Sequence, residues 1–436
     1  MVRLFADTTP LRTPDFRRLW LAGVVTVIGG NLTIFAVPVQ LYALTQNSAY
    51  VGLSGLFALV PLIVFGLLGG AWADAMDRRL LLIITSCGLA VASVLLWVQA
   101  AAGFDNVWVV LLLLSVQQAF YAINAPTRAA AIPRMLPIAQ LPAANSLNMT
   151  VQQFGAIVGP LLAGVLLRWI DLSTLYLLDA IACLAPIWVT FRLARMPVTE
   201  SSAAEGSSRW GVGAVLAGFR YLAGNQVVLM SFVVDLIAMI FGMPRALFPQ
   251  MAHESFGGPV TGGTTMALLA AAMSVGAVAG GVLSGWFPSI RRQGLAVIAA
   301  IVVWGLAMVG FGVAGGAADG RAGPMLWVAL GFLAAGGGAD MVSAAFRSTI
   351  LQEVASDDLR GRLQGVFLVV VAGGPRLADT VHGAAAAMIG TTVAAAGGGA
   401  LVVVGVLVAA VLAPAFVRYR VPAAAPQHDR SDHPEK

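Results

Sequence analysis

Twelve apolar stretches, each long enough for a membrane-spanning helix, constrain this chain more than any other feature of its sequence. A helix needs about 20 apolar residues to cross about 30 Å of hydrocarbon, and an unclosed strand leaves backbone groups unpaired in lipid. With 59% hydrophobic and 10% charged residues in 436, no soluble core could hide the apolar surface. We therefore expect an all-α integral membrane protein with spans at approximately 18–44, 50–73, 80–102, 106–131, 144–168, 172–194, 225–250, 264–287, 293–316, 322–346, 363–389 and 392–417.

Three landmarks recur at a shift of 213 to 219 residues, which indicates two homologous halves. They are Arg78-Arg79 and Arg291-Arg292, Arg128 and Arg347, and Gly159-Pro160 and Gly374-Pro375. Internal repeats of this kind are typical of solute transporters. The sequence predicts two six-helix bundles related by a pseudo-two-fold axis, at 1–194 and 221–420, a cytoplasmic linker at 195–220, and a disordered cytoplasmic tail at 421–436.

Basic residues fall almost entirely on one side of this topology. If the N-terminus is cytoplasmic, 21 of the 25 Lys and Arg residues lie in cytoplasmic segments, and the exceptions are Arg168, Arg245, Arg321 and Arg376. This asymmetry follows the positive-inside rule and places both termini in the cytoplasm. The net charge of +5 therefore reflects membrane topology, not a nucleic-acid partner. We expect a multi-pass protein of the inner (cytoplasmic) cell membrane.

The loop between helices 2 and 3 resembles the cytoplasmic-loop motif of the major facilitator superfamily. The motif covers Gly70 to Arg79 and departs from the family pattern at Ala75 and Asp77. A degraded copy precedes Arg291 and Arg292 in the second half. The resemblance implies a cytoplasmic gate in which charge pairing holds one transport state. Its residues are Gly70, Asp74, Arg78, Arg79, Arg291 and Arg292. The alternative is that the arginines only anchor topology.

Helix 5 carries a second motif, similar to one found in the antiporters of this superfamily. Its residues are Gly155, Gly159, Pro160 and Gly164. Glycines let helices approach closely and proline bends a helix, so simple helix packing is the alternative explanation. A broader match over nearly the whole chain resembles the enterobactin (siderophore) exporter and multidrug efflux branch, with Leu141-Pro142-Ala143-Ala144-Asn145-Ser146-Leu147 as one of its segments.

Ionisable residues inside the spans are the candidates for proton coupling, because a charge at membrane depth is costly. Gly373-Gly374-Pro375 is expected to interrupt helix 11, and Arg376, Asp379 and His382 follow at intervals of three, so neighbours among them can interact. Protonation of Asp379 would free Arg376 for an anionic cargo, whereas a permanent ion pair would only fix packing. Asp235 in helix 7 and Asp340 in helix 10 are further proton-carrier candidates.

The first half offers amides instead of a deep carboxylate. Asn31, Gln117 and Gln152 are candidates for the cargo path, with hydrogen bonding between helices as the alternative. Asp179 is expected at the membrane–water interface, near the outer end of helix 6. Arg245, beyond Pro244 at the outer end of helix 7, is either a gate residue or a side chain that extends to the interface.

No enzyme signature is present: the chain has no Walker loop after a strand, no dinucleotide fingerprint and no catalytic triad pattern. We expect neither an enzyme nor a bound cofactor or metal. The residues and the resemblance together predict a monomer that exports an amphipathic small organic molecule, a siderophore or a drug-like compound, by proton antiport. The alternatives are an importer of a small metabolite, proton-coupled or facilitated, and a non-transporting membrane scaffold.

Overall fold

The computed structural model describes residues 7–193, 224–354 and 357–420 of the chain. Within these ranges the regular structure is helical and contains no strand, which confirms the all-α membrane fold. Twelve long helical segments follow one another: α1 (Pro14–Thr45), α2 (Ser48–Ala75), α3 (Arg78–Ala101), α4 (Val107–Ala131), α5 (Leu141–Leu166), α6 (Leu172–Arg192), α7 (Gln226–Ser255), α8 (Thr264–Val282), α9 (Gln293–Gly316), α10 (Pro324–Val354), α11 (Asp357–Ile389) and α12 (Thr391–Leu412).

The helices have the lengths that a bilayer requires. By length and composition, 11 helices in the described ranges could cross a membrane. The remaining predicted span lies inside α11, whose 33 residues extend about 50 Å at about 1.5 Å per residue. The predicted linker at 195–220 and the predicted tail at 421–436 lie outside the described residues.

Side-chain caps set the start of several helices. The Asn47, Asn106 and Asn225 side chains accept hydrogen bonds from the first amides of α2, α4 and α7. Asp77 does the same for α3, where its carboxylate accepts from the Arg79 amide at 2.8 Å. A cap satisfies a backbone donor that the helix itself cannot pair. The Asp77 departure from the loop motif therefore has a structural role.

The interrupted helix is α7, not α11, which corrects the expectation from Gly373-Gly374-Pro375. α11 continues without a break from Asp357 to Ile389 with Pro375 inside it. Proline removes one backbone donor, and packed transmembrane neighbours tolerate that loss. In α7 the α-helix stops at Gly242, and after Met243-Pro244 the chain resumes as a 3-10 turn, Arg245–Leu247, and ends in a π-helical turn, Met251–Ser255.

Helices α1–α6 and α7–α12 pack mainly within their own groups, and two helix pairs make the most extensive contacts between the groups. We call the groups the first half and the second half; α2 packs along α11, and α5 packs along α8. We call the side of the membrane where α1 ends and α2 begins the far side, because it is opposite the N-terminus. The two pairs form a seam, defined as the α2–α11 and α5–α8 contacts, around which the halves meet.

Candidate functional site

At the far end of the seam, backbone packs against backbone. A Cβ at Gly52 of α2 would lie 2.5 Å from the Asp379 carbonyl oxygen and 2.8 Å from the Gly383 Cα of α11. On the other pair, a Cβ at Gly164 of α5 would lie 2.9 Å from the Gly263 carbonyl oxygen before α8. Only glycine permits such approaches, so both helix pairs are closed at the far side.

Hydrogen bonds between the halves cluster at the same end. The Tyr42 hydroxyl donates to Glu254 Oε1 at 2.9 Å, and the Ser48 hydroxyl donates to Gln250 Oε1 at 2.6 Å. Gln250 Nε2 also donates to the Glu254 carboxylate, so these four side chains form one network, which we call the far-side latch. Sequence reasoning missed all four residues, because nothing in their spacing shows that α1 and α7 end side by side.

Each helix pair of the seam also contributes a hydrogen bond between the halves. The Thr380 hydroxyl of α11 donates to the Gly52 carbonyl oxygen of α2 at 3.1 Å. On the other pair, Arg168 Nη2, after α5, donates to Thr264 Oγ1 of α8 at 2.9 Å. These four hydrogen bonds between the halves all lie toward the far side. This arrangement is a far-side-closed state.

The break in α7 brings Arg245 to Asp379. Arg245 Nη2 lies 3.9 Å from Asp379 Oδ2, and the two side chains remain 48% and 21% exposed. Asp379 Oδ1 is buried without a hydrogen-bond partner among the described residues. Arg376, one turn earlier on α11, interacts electrostatically with both Asp379 and Arg245. The closest cation of Asp379 is thus Arg245 from another helix, and not the helical neighbour Arg376 that the spacing indicated.

His382 faces away from this group. Its imidazole packs against Gly398 of α12, and the side chain is 3% exposed. Its Nε2 has no hydrogen-bond partner within the described ranges. The three-residue spacing placed Asp379 and His382 on adjoining strips, but the two side chains have different surroundings because α11 is packed on several sides.

A second charged group lies inside the second half. Asp235 of α7 and Arg347 of α10 form an ion pair through Oδ2 and Nη1, and they are 2% and 8% exposed. Arg347 Nε donates to Ser343 Oγ at 3.2 Å, whereas Asp235 Oδ1 has no hydrogen bond with a described residue. Asp340 lies two turns before Arg347 and interacts electrostatically with both members of the pair. Arg347, expected to be a cytoplasmic topology arginine, is buried.

The first half does contain a deep carboxylate, which corrects the expectation for that half. Asp179 is 1% exposed and lies inside the bundle, not at the interface. Its Oδ2 accepts hydrogen bonds from Thr33 at 2.6 Å, Ser93 at 2.8 Å and Gln117 at 3.3 Å. Helices α1, α3 and α4 each supply one donor. Gln117, a candidate for the cargo path, therefore faces this carboxylate.

Comparisons with known proteins decide the family. The model of a family described as transmembrane secretion effector matches residues 6–432. The chain belongs to this family. The enterobactin exporter EntS of Salmonella typhi is 25% identical over 377 residues, which cover 86% of each chain, and that of Citrobacter koseri is 25% identical over 379 residues, again 86% of each. The crystal structure of the nucleoside transporter NupG superposes with a TM-score of 0.71 at 15% identity, covering 92% of this chain and 98% of NupG.

Membership of the transmembrane secretion effector family places the chain among the major facilitator transporters. The resemblance noted from the loop motif and the helix 5 motif is thereby confirmed at the level of family. The protein is a multi-pass membrane transporter of small-molecule cargo and not an enzyme.

The glycines of the helix 5 motif pack against the middle of α1 and against α8. A Cβ at Gly155 would lie 3.2 Å from Asn31 Nδ2, and one at Gly159 would lie 3.3 Å from Asn31 Cγ. Asn31 Nδ2 donates to the Val27 carbonyl oxygen at 2.7 Å. The motif therefore surrounds Asn31, a candidate for the cargo path, while Pro160 is buried within α5 and Gln152 is exposed one turn before Gly155.

The described bonds of the loop-motif arginines lie within the first half. Arg78 Nη1 donates to the Ala130 carbonyl oxygen at 3.0 Å, and Arg79 Nη2 donates to the Phe191 carbonyl oxygen at 2.6 Å. A cation at the last carbonyls of a helix complements the helix dipole. Arg291 and Arg292 are exposed. Gly70 and Asp74 lie in α2 but outside the residues whose side chains are described.

Proposed function

We propose that this transporter exports an amphipathic small organic molecule, a siderophore or a drug-like compound, by proton antiport with alternating access. The observation that carries the proposal is the Arg245–Asp379 pair, 3.9 Å apart, where the break in α7 meets α11. The pair lies one residue from Thr380, which bonds across the seam to Gly52. A charge change at Asp379 can therefore alter the contact on which far-side closure depends.

The positive-inside pattern supports an inner-membrane orientation with both termini in the cytoplasm. In this orientation the far side is the outer face, and the proposal requires cargo to enter between the halves from the cytoplasm in the far-side-closed state. Export then requires the far-side latch to open. We propose that the protein works as a monomer, because each half supplies one side of the seam within a single chain.

Protonation of Asp379 is the step that couples the movement of protons to the movement of cargo. The carboxylate attracts Arg245 and Arg376 while it is charged, and a proton from the outer face removes that attraction. The charged pair binds the cargo from the cytoplasm, and a proton that arrives at the outer face displaces the cargo there. Loss of the proton to the cytoplasmic side restores the pair. Alternate occupancy of one site by proton and cargo is the requirement for exchange.

Other candidates keep supporting roles in this proposal. Asp235, Asp340 and His382 are further titratable groups in the second half, and Asn31 and Gln152 are candidate cargo contacts in the first. The loop residues Gly70, Asp74, Arg78, Arg79, Arg291 and Arg292 are proposed to gate the cytoplasmic side. The glycines and proline of α5, Gly155, Gly159, Pro160 and Gly164, are proposed to set the close α1–α5 and α5–α8 packing.

Transport into inverted membrane vesicles tests the proposal. An imposed gradient, acidic inside, should drive accumulation of enterobactin or of ethidium, and Asp379→Asn should abolish the gradient-dependent part. The matched control is Asp319→Asn, which changes an exposed loop aspartate at φ 49°. Asparagine tolerates that backbone conformation, so the control should retain wild-type transport.

Two outcomes would contradict antiport. One is accumulation that persists at full rate after an ionophore collapses the pH gradient. The other is net movement of the probe down the proton gradient, which would indicate symport and hence import. A scaffold role would be indicated if neither probe moved and Asp379→Asn left drug tolerance of intact cells unchanged.

A further inference from the structure

Buried polar side chains form a column through the interior of the first half, away from the seam. The column has three layers across α1, α3, α4 and α6. The far layer is Gln40, Gln99 and Tyr176, the middle layer is Thr33, Ser93, Gln117 and Asp179, and the near layer is Thr85, Ser86 and the half-buried Asn124. Within each layer the side chains hydrogen-bond to one another across helices.

The layers are evenly spaced along the helices. On α3, Ser93 is seven residues from Ser86 and six from Gln99, and on α4, Gln117 is seven residues from Asn124. Two helical turns correspond to about 10 Å at about 1.5 Å per residue. The Phe120 ring packs against Gly88 between the middle and near layers. The column thus extends from the far third of the bundle toward the side of the N-terminus.

Asp179 is the one carboxylate of the column among the described residues. The other titratable side chains close to it are Cys183, whose Sγ lies 4.0 Å from Asp179 Oδ1, and Tyr176 one turn earlier. The charged residues on the four helices and their caps or loops each lie at least eight residues, about 12 Å of helix, from the nearest middle-layer residue. They are Asp7, Arg12, Asp15, Arg17, Arg18, Asp77, Arg78, Arg79, Asp105, Arg128, Arg134, Arg168, Asp171 and Arg192.

Two opposing effects act on the Asp179 carboxyl group. Burial without a neighbouring cation strongly disfavours the anion. The three donors to Oδ2 favour the anion, because hydrogen bonds to a charged acceptor are stronger than neutral ones. Both contributions are several times the thermal energy and they oppose each other. Oδ1 has only the weak thiol donor of Cys183, so it is the atom that can take a proton.

We propose that Asp179, in the middle layer of the polar column, is a proton-binding site of the first half. In the far-side-closed state the proton resides on Oδ1, and it exchanges when the helices of the first half move. For its place in the transport cycle the inference rests on the proposed proton antiport. The presence of the proton itself can be measured on the protein without any cargo.

Infrared spectroscopy of the detergent-solubilised full chain tests for the proton. The difference spectrum between wild type and Asp179→Asn at neutral pH should contain a carboxylic-acid C=O band that shifts in D₂O. Asp105→Asn, at an exposed loop position, is the matched control and should show only carboxylate bands. Asp179→Glu keeps an acid at the site and should restore a carboxylic-acid band, which guards against a folding defect in the asparagine variant.

Transport by the same variants tests whether Asp179 exchanges its proton during the transport cycle. Gradient-driven enterobactin accumulation should fall at least tenfold in Asp179→Asn, while enterobactin exchange at equal pH on both sides stays within about twofold of wild type. An Asp179 that gives only carboxylate bands would overturn the proton site. A carboxylic-acid band with undiminished gradient-driven transport would overturn the coupling role. If wild type fails to respond to the gradient while the band is present, the proposed antiport fails and the proton site remains.

Discussion

Arg347 of α10 reaches Asp235 of α7 and forms a buried ion pair inside the second half. The corresponding arginine of the first half, Arg128 of α4, instead donates through Nη2 to the Leu19 carbonyl oxygen of α1 at 2.9 Å. Each arginine thus binds the first helix of its own half. Among the described residues, an acid lies at this contact in the second half alone, so the two halves share this helix contact but differ in its charge.

Removal of one partner should destabilise the second half. Arg347→Ala leaves Asp235 buried without a cation, and such changes cost about 3–5 kcal/mol. The melting temperature of the detergent-solubilised protein, followed by tryptophan fluorescence, should fall markedly. The double variant Asp235→Asn with Arg347→Gln should recover most of this loss because no buried charge remains unpaired. Equal melting temperatures for the single and double variants would contradict the predicted cost of leaving Asp235 without its cation.

A side chain at the α2–α11 crossing should hold the far side open. In Gly52→Ala the new methyl group would lie 2.5 Å from a backbone oxygen of α11, which cannot move without separating the helices. Each ~1.4 kcal/mol of strain shifts the closed-to-open equilibrium about tenfold. Hydrogen–deuterium exchange should accelerate at the start of α2 and the end of α11. Gly66→Ala is the matched control, since its Cβ would meet no atom within 4 Å.

Loss of the Tyr42 hydroxyl should weaken the far-side latch. Tyr42→Phe removes the 2.9 Å bond to Glu254, and about 1 kcal/mol corresponds to about a fivefold shift toward the open state. A cysteine introduced by Val51→Cys, a buried position at the far end of α2, should then react faster with a maleimide. Unchanged labelling would show that the bond does not contribute to closure.

The control for the latch is Tyr419→Phe, at a tyrosine whose hydroxyl donates to Glu353 at 3.0 Å within the second half. Burial and the neighbouring Glu353 raise the pKa of Tyr419 to about 12, so its hydroxyl stays protonated and remains a donor. Because this bond does not cross the seam, its loss should leave the maleimide reaction at Val51→Cys unchanged.

Removal of the cation at the α7 break should uncouple transport. Arg245→Gln deletes the group 3.9 Å from Asp379, so that protonation of the carboxylate no longer changes an ion pair. We expect gradient-driven ethidium accumulation in inverted vesicles to fall about tenfold, equivalent to about 1.4 kcal/mol. Arg321→Gln, at an exposed loop arginine, should behave as wild type. Full activity in Arg245→Gln would indicate that Arg376 alone is a sufficient cation partner for Asp379.

The candidate site was only partly visible in the sequence. Asp235, Asp340 and Asp379 stood out because carboxylates are rare inside apolar spans, and a rare costly group is visible without any coordinates. The partners of Asp235 and Asp379 were not visible, because Arg347 and Arg245 lie on other helices. Asp179 was misplaced at the interface for the same reason: its three donors come from α1, α3 and α4, and no spacing along α6 reveals them.

The break in the second half shows a related limit. Pro375 and Pro244 are both prolines within or beside an apolar span, yet α11 continues through the former and α7 stops before the latter. A proline permits a break, and the surrounding helices decide whether one occurs.

The sequence by itself determined the membrane class and the number and approximate position of the helices. These properties follow from the length and polarity of single segments in lipid, which act locally along the chain. The tertiary structure alone decided which end of the seam is closed, which cation faces each carboxylate and where Asp179 lies. Those properties depend on contacts between helices that are far apart in sequence. A difference of a few ångströms in such a contact changes the electrostatic energy of a buried charge or the packing energy at a glycine.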